Sequence, residues 1–272
     1  MPRRAVIDIG TNSVKLLVAE VGQGDLVPLL ERSEQTRLGR GFYESYRLLP
    51  EPIAQTARVV SRLAQQAREF GVAGIRVIAT SAARDATNRE EFLAAVQTTS
   101  GLPVEVISGE QEADWAFHGV TSDPRLAGRR VLILDVGGGS SEFCLGQGQT
   151  QQFRCSYPLG TVRLLERLDL CEPPGVEGCE RCLGMVRDIL AAQVRPVLQP
   201  LLVAREANPV QLVGTGGTAS ILGAMELKLT TFDRARLEGA RLGAGRVRSH
   251  LERLWSLPLA ERSKTPGLPP ER

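Results

Sequence analysis

The chain has 272 residues, room for one large or two medium domains, and its 42% apolar content is ample for sizeable cores. A formal net charge of +2 supplies no general field for nucleic acid or a membrane surface. The first four residues run directly into a strand with no basic-then-apolar leader, and no apolar run is long enough to span a bilayer, so a cytoplasmic protein is expected.

The first stretch, AVIDIGTNSVKLLVAEV, reads as an apolar strand ending in Asp8, a small polar turn of Gly10, Thr11, Asn12 and Ser13, and a second strand over 14–21. A strand and a basic, glycine-containing turn with Arg37 and Arg40 follow. Pro50 and Pro52 open a helix over 53–70, whose apolar positions Ala57, Val60, Leu63, Ala64 and Ala67 keep the helical period, and Gly71 ends it. Residues 75–79 form another strand, and the connection TSAARDATN leads to a helix near 90–98. Strand, helix, strand alternation argues for an α/β domain. Arg84 and Asp85 lie in that connection, where Arg84 could donate to a phosphate and Asp85 could hold it; a surface ion pair or a helix cap reads equally from the residues alone. A short strand over 104–107 then leads into a helix opening with Glu110, Gln111 and Glu112, acids that a helix N-terminus ordinarily stabilises through its dipole.

The polar, turn-rich stretch TSDPRLAGRR over 121–130 suggests a hinge, dividing the chain into 1–122 and 123–272. Next comes VLILDVGGGSSEFCLG, a buried strand ending in Asp135, the bare turn Gly137, Gly138, Gly139, then Ser140 and Glu142 at the start of a returning strand. Amides of such a turn can form an anion nest, and Asp135 and Glu142 on either side of the tip could hold a divalent cation, although a plain glycine hairpin has the same pattern. Asp-x-Gly-x-x-Ser thus occurs twice, at Asp8 to Ser13 and at Asp135 to Ser140, which points to two related halves whose turns could grip one polyanion. A helix over 161–168 follows PLG, and CEPPG breaks it; 178–202 is helical by spacing, with Pro196 expected to kink or end it. The strand 210–213 feeds Gly214, Thr215, Gly216, Gly217 and Thr218 into a helix through Met225, a phosphate or purine loop or simply a tight turn. GTGGT is not a Walker A loop, because no Lys-Ser/Thr pair closes it. Five cysteines, an odd number, fit a reducing compartment; the lone C-x-x-C at Cys179 and Cys182, with Cys171 upstream, shows no fourth zinc ligand and reads as a helix start. His118 and His250 have no ligand cluster around them.

The paired hairpins resemble those of the actin, sugar-kinase and heat-shock chaperone ATPase superfamily. With VIATSAARDATN, VEVISGEQEADWAFHGV, PLGTVRL and VGTGGTAS in order, the chain resembles the exopolyphosphatase and guanosine pentaphosphate phosphatase (Ppx/GppA) family from Ala5 onward. The resemblance implies two actin-like, ribonuclease H-like α/β domains with a phosphate-binding cleft between them. SGEQEA is similar to the family's Ser-Gly-x-Glu-Glu-Ala, which makes Glu112 the general base that activates water, with Gln111 standing where the family has another Glu. Arg84 then lies near the phosphate, Asp135, Glu142 and Asp8 organise Mg²⁺, and the amides of the two hairpin turns and of GTGGT cradle phosphate oxygens. Gly160, Thr161 and Arg163 of PLGTVRL could also reach substrate, as could Arg262 and Lys264. Family members continue past the Pro-Pro-x-Arg segment into a small-residue helix that this sequence does not include, so cleft closure is expected to be less secure.

These features make the chain an expected exopolyphosphatase that releases terminal orthophosphate from inorganic polyphosphate by metal-assisted attack of water. The alternatives are hydrolysis of guanosine pentaphosphate (pppGpp) to ppGpp and a catalytically weak polyphosphate- or alarmone-binding regulator; a sugar kinase or chaperone-like ATPase would need an adenosine pocket that is not visible. Expected partners are inorganic polyphosphate or guanosine pentaphosphate, with no nucleic acid and no membrane, and a homodimer is allowed.

Overall fold

Alternating burial along AVIDI and SVKLLVAEV puts every second side chain into one core, and the two runs pair antiparallel as β1 (Arg3–Ile9) and β2 (Ser13–Val21). The computed structural model describes residues 1–22, 26–203 and 209–269; of the expected Pro-Pro-x-Arg segment, residues 270–272 lie outside them. The chain divides into two compact units. Unit 1 comprises Met1–Glu112, Gly138–Ser140 and Gly160–Glu166, and unit 2 comprises Ala113–Gly137, Ser141–Leu159 and Arg167–Arg272.

In unit 1, β3 (Leu26–Gln35) continues the meander, and α1 (Pro50–Glu69) returns the chain to β4 (Ile75–Ala79), parallel to β1. Leu49 caps α1, two prolines occupy its first turn where no intrahelical N–H is required, and Gly71 at φ +64° ends it. Its buried stripe of Ile53, Ala57, Val60, Leu63, Ala64 and Ala67 joins Ala5, Ile7, Ile9, Val14, Leu16 and Val18 in one core. The TSAARDATN connection contains a helix of its own, α2 (Ser81–Asp85), before α3 (Arg89–Ser100) and β5 (Val104–Val106). The sheet order is β3-β2-β1-β4-β5.

The next helix, α4 (Gly109–Thr121), has its first turn in unit 1 and the rest in unit 2. Unit 2 repeats the plan of unit 1. β6 (Arg130–Val136), β7 (Ser141–Gln147) and β8 (Thr150–Tyr157) form an antiparallel meander, and after α5 (Thr161–Arg167), α6 (Gly175–Ile189) and α7 (Arg195–Val203), β9 (Gln211–Thr215) returns parallel to β6. The order β8-β7-β6-β9 is that of β3-β2-β1-β4, so the duplicated motif belongs to a duplicated topology. α8 (Gly216–Leu227), α9 (Arg234–Glu238), α10 (Ala244–Ser256) and α11 (Leu259–Arg262) complete the unit.

The disturbance expected at Pro196 is present, and it takes the form of a π turn around the carbonyl four residues before the proline. A π-helical turn, Leu190–Val194, joins α6 to α7, so the proline is the second residue of α7 and the widened turn absorbs its clash with the carbonyl four residues back. All five cysteines are free thiols, and Cys179 and Cys182 lie within α6. Among the described residues no helix is long and apolar enough to cross a membrane.

Phe117 of α4 is fully buried and packs with Ala113 on Val131, Ile133 and Cys144 of the second sheet. Phe117→Ala should lower the free energy of unfolding by about 3–5 kcal/mol, through lost transfer energy and the cavity left behind. Chemical denaturation followed by circular dichroism measures it; a loss below about 1 kcal/mol would mean that α4 is not held by this contact.

Candidate functional site

Both hairpin tips contribute to unit 1. The first, Gly10 to Ser13, closes with Gly10 N–H on the Ser13 carbonyl at 3.0 Å. Gly138 and Gly139 of the second tip lie against Thr11: a Cβ at Gly138 would meet Thr11 Cβ at 3.1 Å, and one at Gly139 would collide with Tyr43 OH, Ser81 Oγ and Thr11 Oγ1, the last at 2.6 Å. Only glycine fits there. Thr11, Tyr43 and Ser81 are at most 7% exposed, and no hydrogen bond of good geometry satisfies any of the three hydroxyls. Burial raises the Tyr43 phenol above its ordinary value against the opposing Arg163 charge.

The charged residues of unit 1 have partners beyond those the sequence suggests. Arg84 Nε keeps an ion pair with Asp85 Oδ1 at 3.9 Å, while Nη1 donates to Glu112 Oε2 at 3.1 Å and to the Ile107 carbonyl at 3.3 Å. Asp85 accepts from Arg163 Nη2 at 2.9 Å. Arg163 also donates through Nε to the Gly139 carbonyl at 2.8 Å, and its guanidinium carbon sits 4.3 Å from the centre of the Tyr43 ring. Arg163, expected to reach substrate, is 4% exposed and committed to protein groups. Gly160 is likewise a packing residue, since a Cβ there would run into the Gly138 backbone.

Glu112 stands in the first turn of α4, on a helix start that the sequence already encoded. Ser108 Oγ accepts from Gln111 N–H at 3.1 Å, and Gln111 Oε1 accepts from Ser108 N–H at 3.0 Å. This is a capping box, in which an amide serves as well as a carboxylate, so Gln111 keeps the helix start intact without a second charge beside Glu112.

In unit 2, Asp135 and Glu142 face one another directly across the β6–β7 pair, and cross-strand neighbours share one face of the sheet. Glu142 is 2% exposed and accepts from Ser156 Oγ at 2.6 Å. Asp135 stands over the GTGGT loop. Gly216 has φ +78°, a Cβ there would collide with Asp135 Oδ1, and Thr218 Oγ1 donates to the Val136 carbonyl at 2.8 Å. That loop and Asp135 are therefore built around each other. Burial, with the nearby Glu142 and Asp135 charges, pushes the Cys144 thiol up to about 12, which keeps it protonated. Arg262 forks onto Glu172 at 2.7 and 2.9 Å, and Lys264 pairs with Glu261 at 2.7 Å.

Carboxylate oxygens are the ligands a hard cation takes. Asp135 and Glu142 offer oxygen ligands side by side, and in unit 1 the buried Oδ1 of Asp8 has no hydrogen-bond partner. Among the described residues no group of three or more His, Cys, Asp or Glu is close enough together to hold a metal ion, so Asp135, Glu142 and Asp8 do not form a ready-made cage.

The Ppx/GppA phosphatase family model matches residues 17–272. The chain belongs to the Ppx/GppA family. It is 33% identical over 281 aligned residues to exopolyphosphatase 2 of Mycobacterium tuberculosis, covering all of this chain and 86% of that protein. It matches the Ppx/GppA enzyme of Aquifex aeolicus at 32% identity and a TM-score of 0.77, over 100% of this chain and 87% of the other. An exopolyphosphatase from Cytophaga hutchinsonii has the same fold, with a TM-score of 0.84 at 23% identity, over 99% and 85% of the two chains. The two α/β units with their repeated sheet order are thus the actin-like fold of this family.

Within this Ppx/GppA protein, Tyr43, Ser81 and the Arg163–Asp85 pair are residues that sequence reasoning did not place beside the turns. Asp8 yields a test of its own. Burial raises its carboxyl above the ordinary 3.8, opposed by Lys15. A carboxyl with a raised native pKa contributes stability below its unfolded value and loses that contribution as pH climbs through the native one. Asp8→Asn should therefore melt higher than the parent near pH ~8, with the gain shrinking toward pH ~4. Thermal melts across that range measure it; a variant that melts lower at the alkaline end would show the charged carboxylate to be stabilising.

Proposed function

We propose that this Ppx/GppA protein is an exopolyphosphatase that releases terminal orthophosphate from inorganic polyphosphate, with Glu112 as general base. The observation that carries the reading is the Arg84–Glu112 pair, a carboxylate at a helix start held by a guanidinium, both side chains 22% exposed. Within that pair Arg84 fixes Glu112 in one orientation before substrate arrives. The Glu112 carboxylate accepts a proton as water oxygen bonds to the terminal phosphorus, the bridging P–O bond breaks, and the shortened chain leaves with the electron pair. Arg84 would also donate to an oxygen of the phosphate under attack.

The amides of the two hairpin turns, at Gly10, Thr11, Asn12 and Ser13 and at Gly137, Gly138, Gly139 and Ser140, are assigned to phosphate oxygens, as is the loop from Gly214 to Thr218. Asp135, Glu142 and Asp8 are the carboxylates proposed for Mg²⁺, which when bound would spread the charge developing on the phosphoryl oxygens. Phe42, Tyr43 and Tyr46, which follow the segment hydrogen-bonded to the first turn, pack edge to face on one another with centroids 5.0–6.3 Å apart. That engagement favours a substrate with no base to stack, so polyphosphate leads and pppGpp follows.

Orthophosphate release with Mg²⁺ from long-chain polyphosphate and from pppGpp, measured in parallel for the parent and Glu112→Gln, tests the reading. The parent is expected to turn over polyphosphate in preference, and the variant to lose roughly 10²–10⁴-fold in kcat while still binding. Binding without release by the parent would leave a regulator in place of an enzyme, and full activity in the variant would remove Glu112 from the role.

A further inference from the structure

Both turns carry the same backbone device. In the first, Gly39 N–H donates to the Thr11 carbonyl at 2.8 Å, and Thr36 and Arg37 N–H groups donate to the Asn12 carbonyl at 3.1 and 2.9 Å. In the second, Val162 and Arg163 N–H groups donate to the Gly138 carbonyl at 2.8 and 3.2 Å, and Arg163 Nε donates to the Gly139 carbonyl at 2.8 Å. Two successive carbonyls are pinned in each turn by the segment that follows the third strand of its meander. A peptide unit is planar and trans, so its carbonyl and the next residue's N–H point in opposite directions. Pinning Thr11 and Asn12 therefore turns the amides of Asn12 and Ser13 outward from the pinning segment, and pinning Gly138 and Gly139 does the same for Gly139 and Ser140.

Only one of these pins is a side chain. The Arg163 guanidinium is held by Asp85 at 2.9 Å and by the Tyr43 ring below it, and its side chain is 5% exposed. Buried in this way, it cannot itself contact a polyanion. We propose that Arg163, braced by Asp85, is a positioning residue that sets the Gly139 peptide plane and so aims the Ser140 amide at a phosphate oxygen. The ligand aimed at is a phosphoanhydride chain, and in that respect the inference rests on the function proposed above.

Lysine retains the charge of arginine but not its planar fork, so Arg163→Lys loses the simultaneous bonds to Gly139 and Asp85. The test compares the parent, Arg163→Lys and Asp85→Asn by kcat and KM on polyphosphate, tripolyphosphate affinity by calorimetry, thermal melting, and backbone amide resonances of Gly139 and Ser140 without ligand. The expected result is moved Gly139 and Ser140 resonances and a loss of about 10–100-fold in kcat/KM for Arg163→Lys, with a smaller loss in the same direction for Asp85→Asn. Kinetics are taken where melting shows the variant folded, so the loss is one per folded molecule. Should Arg163→Lys not fold, Asp85→Asn carries the same readouts. Unmoved resonances, or kcat, KM and affinity within twofold of the parent, would overturn the proposal. A parent that neither binds tripolyphosphate nor releases phosphate would instead defeat the functional reading, while the resonances still report on the peptide plane.

Discussion

A backbone carbonyl that is hydrogen-bonded on one side of a turn commits the following amide to the other side, and this constraint organises the chemistry-bearing parts of the chain. The Asp-x-Gly-x-x-Ser turns are short and glycine-containing, so their own side chains do little to fix them. Orientation comes from the residues at 36–39 for the first turn and 160–163 for the second. The repeat seen in sequence as two six-residue motifs thus extends to the strand order of each sheet and to the segment that holds each tip.

The same regions carry the most costly burials. Asp8 keeps an unpartnered buried carboxyl oxygen, and the buried hydroxyls of Thr11, Tyr43 and Ser81 crowd together at Gly139. Unsatisfied polar groups of this kind weaken the fold, each by about 1–3 kcal/mol. Their concentration around the two turns, against the dense apolar core of Ile7, Leu16, Val60 and Leu63 beneath the first, fits a site shaped for a polar ligand rather than for stability. The core supplies the stability that offsets it.

The sequence was most legible where the signal is local. The helix opened by Pro50, the strand at Ile75–Ala79 and both hairpins follow from periodicity, proline and glycine placement, and branched apolar runs. Partners distant along the chain were not legible: Asp85 keeps the ion pair with its neighbour Arg84, but its hydrogen bond goes to Arg163, 78 residues on, and Arg84 reaches Glu112. Nothing in local pattern distinguishes a guanidinium that binds ligand from one that holds a carbonyl. Pro196 interrupts the α-helix as expected, through a π turn that local pattern does not specify. Gln111, which stands where the family has another Glu, takes the carboxylate's part in a capping box without its charge.

Amide hydrogen exchange at Asn12, Ser13, Gly139 and Ser140, resolved by residue with and without tripolyphosphate and Mg²⁺, is the most direct measurement of whether these turns are the phosphate cradle. Slower exchange at these four amides than at the surrounding backbone when the ligand is bound is the expected result. Tripolyphosphate binding that leaves all four amides exchanging as they do without ligand would contradict it and send the search for the phosphate contacts elsewhere in the chain.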